Sequence, residues 1–183
     1  MRSVAGGKLR YEAFGPFSFR PANPTLHKEA LKEFWSERPD ELAGAVGVYV
    51  WTYKKGGARV PWNVGLTSKQ GFKRRFEQKG VSFRDFVYEN PDADIDVFLL
   101  ALRSAKGSFK KPTRSKKLPG NDWLETVLIG AAISVNPSLR NSSKSKYLRN
   151  AVVDGYLNDK KENRSPAARS FNEIFHPRPR KRK

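Results

Sequence analysis

Apolar and polar positions change period several times along the chain, and each change predicts an element. Leu26, Ala30, Leu31 and Phe34 recur at helical spacing, with Thr25 placed to cap the helix and Pro39 to end it after about Glu37. Residues 44–53 (GAVGVYVWTY) are β-branched and aromatic, which predicts a strand. Alternation puts Tyr49, Trp51 and Tyr53 on one face and Val48, Val50 and Thr52 on the other. Lys55-Gly56-Gly57 is a turn, and Arg59 to Leu66 returns as the second strand of an antiparallel hairpin. Thr67 or Ser68 opens a helix over Gly71 to Lys79, and Ser82 caps another over Ser82 to Glu89 with Phe83, Phe86 and Val87 buried. Asp96 to Arg103 (DVFLLALR) is nearly all apolar, as a central strand covered on both faces is. Asn121 or Asp122 caps the most apolar helix, Trp123 to Val135, and Pro137 ends it. Two further helices are expected over Lys144 to Leu157 and Ser165 to Phe175.

These elements predict an α/β (α+β) fold: a small central sheet of three strands, mixed or antiparallel, flanked by helices. Residues 1–40 are an arm and helix that pack on the core, the arm irregular and anchored by Tyr11, Phe14, Phe17 and Phe19. Residues 41–141 form the central domain, 142–176 a helical extension, and 177–183 a disordered basic tail.

Composition narrows the function. The 183 residues carry 36 Lys+Arg against 18 Asp+Glu, a formal net charge of +18. That excess favours a polyanionic partner, nucleic acid above all, over a generically basic surface or a ribosome-associated protein. The absence of cysteine excludes disulfides, thiolate metal sites and cysteine nucleophiles, and fits a reducing cytoplasm. No apolar run is long enough for a membrane span, and residues 1–10 do not read as a secretory signal. His27 and His176 stand alone and read as surface residues. Residues 104–118 hold six Lys/Arg (Lys106, Lys110, Lys111, Arg114, Lys116 and Lys117) and no acid, a mobile basic loop suited to phosphates.

The chemistry-bearing residues follow in order: Gly47-Val48-Tyr49, then Asn63-Val64-Gly65 in PWNVGLTSKQ, Arg75 in FKRRF, Glu125 in WLETVLIG, and Asn141 in NPSLRN. Together, over residues 44–141, they resemble the GIY-YIG nuclease family. The whole layout looks like small stand-alone bacterial members, in which NP-x-L-x-N precedes two more helices. The resemblance implies a metal-dependent endonuclease with Tyr49 as general base, Arg75 on the phosphate and Glu125 as the metal ligand. A lone carboxylate suits one hydrated Mg²⁺ (or Mn²⁺), because magnesium keeps several waters. Lys79, one turn after Arg75, would share its face, help lower the phenol pKa and hold the phosphate. Arg74 is the rival of Arg75 but points about 100° away around the helix. Asn141 either supports the surroundings of the glutamate, pins the chain after the helix, or caps the next segment. Arg74, Arg140 and the loop cations are the expected DNA contacts, on duplex or branched DNA and mostly insensitive to sequence. No small-molecule cofactor is expected.

Two positions depart from the family pattern. Asn63 stands where the family has its second tyrosine, and Lys79 where relatives often have histidine or tyrosine. Asn63 can orient a water but supplies no phenol. Trp62, next to it, is expected to face the other side of the sheet. Each residue also has a plainer role open to it: Tyr49 as a core aromatic, Glu125 as an acid complementing its helix dipole. A catalytically weak nucleic-acid-binding module and a small basic protein with an accidental match are the alternatives to a nuclease.

Overall fold

The computed structural model describes residues 9–19, 27–55, 57–78, 94–113, 118–141, 144–150 and 165–175. The expectations for Thr25, Lys79, the helix over Ser82 to Glu89, Arg114, Lys116, Lys117 and the basic tail lie outside them. The chain divides into two compact units, Met1–Asn141 and Ser142–Lys183.

The first unit is a mixed α/β structure built on a four-stranded antiparallel sheet. Its strands are β1 (Arg10–Phe19), β2 (Gly47–Lys55), β3 (Ala58–Thr67) and β4 (Ile95–Arg103), in the spatial order β1-β4-β2-β3. The helices are α1 (His27–Ser36), α2 (Asp40–Ala43), α3 (Phe72–Gln78) and α4 (Pro119–Val135). The apolar β4 lies inside the sheet, as its composition predicts.

The expected three strands become four because the aromatic arm is a strand. Its Gly15-Pro16 pair suggested irregular backbone. A bulge absorbs that pair: Phe14 pairs with Leu99 and Phe17 with Val97, so pairing with β4 resumes beyond it. The basic loop is also less free than expected over its described part. The Lys110 backbone donates to the Leu102 carbonyl and accepts from Val46, while Phe109 lies under the Arg103 guanidinium, 3.8 Å from ring centre to Cζ.

Two layers of side chains flank the sheet. Tyr49, Trp51, Ile95, Val97, Leu99 and Ala101 form one layer, closed by Leu31, Phe34 and Trp35 of α1 and by Phe72 and Phe76 of α3. Alternation sends Val48, Val64 and Leu102 to the other layer. There α4 packs on β3 and β2 with Ile129 and Ala132 buried. Arg38 ties α1 to β1: it donates to the Phe34 carbonyl and its guanidinium stacks on the rings of Phe34 and Phe17. Asp96 is the charged exception within β4. It is buried yet satisfied, accepting from Arg59 Nε at 2.7 Å and Ser18 Oγ at 3.1 Å.

β3 is an edge strand, which is where Pro61 is tolerated. Its free rim is covered by the segment after α4. Asn136 Nδ2 donates to the Pro61 carbonyl at 2.8 Å, the Arg140 amide donates to the Trp62 carbonyl at 2.9 Å, and Asn141 engages Val64.

The second unit contains α5 (Ser145–Asn150) and α6 (Pro166–Phe175). Ser165 caps α6, its Oγ accepting from the Ala168 amide at 3.1 Å, and Pro166 takes the first helical position. Among the described residues no helix is long and apolar enough to cross a membrane.

Candidate functional site

Tyr49 sits in β2 opposite Gly65 of β3, and its ring lies across that glycine. A Cβ on Gly65 would overlap Tyr49 Oη and Cζ and reach Cε2 at 2.8 Å. Glycine is therefore the residue that lets the phenol extend toward the sheet edge. Gly47, the first motif glycine, is equally constrained: a Cβ there would strike the Leu100 carbonyl oxygen of β4.

The α3 helix is oriented by its aromatic pair. Phe72 and Phe76, four residues apart, are both buried, and each contributes roughly 1.5–3 kcal/mol relative to exposure. Phe76 meets the Tyr49 ring edge-on at 5.1 Å and the Trp51 ring at 5.0 Å. With that face committed, Arg75 is carried to Tyr49 and hydrogen-bonds its phenol, while Arg74 is left exposed. The choice between the two arginines thus follows from where the phenylalanines point.

Burial pushes the Tyr49 phenol above its ordinary pKa. The charge and hydrogen bond of Arg75 pull it back down, and the Glu125 carboxylate pushes it up. Those opposed influences show that phenol, guanidinium and carboxylate share one neighbourhood, although they are far apart in sequence.

Glu125 is carried to that neighbourhood by α4, which begins earlier than expected. The helix starts at Pro119, with Pro at the first position, so neither Asn121 nor Asp122 is the cap. Asn121 is instead a fully buried anchor. Its Nδ2 donates to the Thr67 carbonyl at 2.8 Å and its Oδ1 accepts from the Tyr11 hydroxyl at 2.8 Å. This locks the first turn of α4 to the end of β3. Between them opens a pocket of about 430 Å³, with Ser68, Lys69 and Arg75 on one side and Asp122 and Glu125 on the other. Tyr49, 2% exposed, is not among the lining residues and meets the pocket through Arg75. The Arg75 Nε is buried and meets no acceptor in the protein.

Asp122 and Lys69 were missed as site residues. The first had a signal: Asp122 is three residues before Glu125, hence on the same helix face. Lys69 lies in the turn between β3 and α3 and had none beyond its charge.

Asn63 is half-buried opposite Trp51, on the Tyr49 face of the sheet. Trp62 corrects the alternation expected of it. Trp51 pairs with Asn63 and Thr52 with Pro61, so Trp62 is the extra residue of a bulge and joins the buried cluster of Tyr49 and Trp51. Asn141 lies on the rim of β3, where its Oδ1 accepts from the Val64 amide at 2.9 Å and its Nδ2 donates to the Val64 carbonyl. Of its expected roles, pinning the chain after the helix matches this geometry. Lys106, Lys110, Lys111 and Arg140 are exposed, outside the pocket lining.

Asn141→Ala removes both bonds to Val64, and the expected loss is about 1–3 kcal/mol in urea unfolding. Asn141→Asp keeps the acceptor for the amide but sets a carboxylate oxygen against the Val64 carbonyl, so it is expected to be no better than alanine. An aspartate variant of wild-type stability would remove the two-bond clamp.

Could this pocket hold a divalent cation? Among the described residues no group of three or more His, Cys, Asp and Glu comes together. Hydrated magnesium needs only one or two carboxylates, and two line the pocket. The donor set fits. Comparison with protein-family models, with characterised proteins and with solved structures found no match.

Proposed function

We propose that this protein is a metal-dependent endonuclease of GIY-YIG type acting on DNA. The observation that carries the reading is that Arg75 of α3 and Glu125 of α4 line one pocket, with the Tyr49 phenol of β2 buried behind Arg75. Arg75 would bind the non-bridging phosphate oxygens with its planar fork, and Lys69 would add a second positive charge on the same wall. Glu125 would hold Mg²⁺, which when bound stabilises charge on the cleaved phosphate. Tyr49 in its neutral form would orient Arg75; it would serve as base only after losing its proton, a loss that burial opposes and the charge of Arg75 favours. The exposed lysines and the net charge of +18 supply affinity for the phosphate backbone.

The catalytically weak binding module is the second reading. It is favoured by the burial of Tyr49 and by Asn63 in place of a second phenol.

Supercoiled plasmid separates the two. Wild-type protein is expected to nick it with Mg²⁺ and not with EDTA, and Glu125→Gln to abolish nicking. Salt-sensitive retention of plasmid without nicking would establish the binding module instead, and cleavage indifferent to EDTA or to Glu125→Gln would overturn the proposed chemistry.

A further inference from the structure

The pocket contains a second acid that the resemblance does not call for. From its position we infer that Asp122 is a second carboxylate ligand of the cation held at Glu125. This rests on the proposed metal-dependent reading and adds a ligand to it. Asp122 and Glu125 are three residues apart on α4, so they project from one face, and both line the same cavity. Asp122 is fixed in place by its neighbour: Asn121 is fully buried and bonded to Thr67 and Tyr11, so the turn bearing Asp122 is registered against the opposite wall. Asp122 is itself exposed, so core packing does not account for it.

The charges of the cavity also balance. Two carboxylates face two cations, Lys69 and Arg75. A magnesium ion and a phosphodiester can then enter together with little change in net charge, the cation on the α4 side and the phosphate on the α3 side.

Manganese binding, followed by the electron paramagnetic resonance of the free ion, tests the ligand without relying on cleavage. Wild-type protein is expected to bind Mn²⁺, and Glu125→Gln to lose it. Asp122→Asn is expected to weaken binding about ten-fold, and Asp122→Glu to restore most of it. The Asp122→Asn loss should persist at high salt, because a ligand bond is not screened as a distant charge is. If Asp122→Asn binds like wild type, or differs only at low salt, while Glu125→Gln fails to bind, Asp122 is no ligand and the nuclease reading stands. If the wild-type protein binds no Mn²⁺, both fall.

Discussion

Arg75→Gln is expected to lower phosphodiester cleavage by about 10²–10³-fold, the usual cost of removing one preorganised group that stabilises transition-state charge. The same substitution is expected to move the Tyr49 titration further up, because the charge and hydrogen bond of Arg75 are what pull it down. Glu125→Gln should move it the other way, since its carboxylate pushes the phenol up. Tyrosinate absorbance against pH reads both shifts, with Tyr49→Phe subtracted to isolate the residue. The folded-state pKa of Tyr49 lies above its unfolded value, so the neutral phenol contributes stability in full below pH about 10. That contribution is lost as pH rises through the folded value, and Tyr49→Phe should remove this component of alkaline unfolding. A Tyr49 titration that neither charge substitution moves would separate the three groups and end the case for a shared site.

Gly65→Ala is expected to cost about 2–3 kcal/mol in urea unfolding and to displace the phenol. A side chain that ends freely in solvent would yield to an added methyl. The Tyr49 ring has no such freedom: it is 2% exposed, edge-on to Phe76 and bonded to Arg75. Tyr49→Leu shortens the side chain and should remove most of the penalty, giving a coupling of at least about 1 kcal/mol in the double-mutant cycle. Independent, additive losses would mean that the ring does not lie across the glycine.

What the primary structure revealed of this arrangement depended on how local its cause was. The hairpin of β2 and β3 and the inner position of β4 follow from side-chain types within ten residues, and they were legible. The preference for Arg75 over Arg74 came from the family resemblance; its physical cause, two buried phenylalanines four apart on α3, is seen in the structure. β1 was not legible, since Gly15-Pro16 is a local signal against a strand and only its pairing with β4, far along the chain, overrides it. The start of α4 was misplaced for a related reason. Asn121 has the composition of a cap, but its amide is taken by the Thr67 carbonyl across the fold. Trp62 was assigned by strict alternation, which the bulge interrupts. The convergence of Tyr49, Arg75 and Glu125 was expected only through the family resemblance. No periodicity contains it, because the three groups ride on separate elements.

The short run from Asn136 to Asn141 has a consequence beyond holding one residue in place. It occupies the last unsatisfied row of amides and carbonyls on β3, so a chain ending at Val135 would carry a bare template for its own polymerisation. The run also begins where α4 ends, so the carboxylate-bearing helix and the strand beneath the phenol are laced by one continuous thread. Loosening that thread would let the two walls of the pocket drift apart before the rest of the sheet melted.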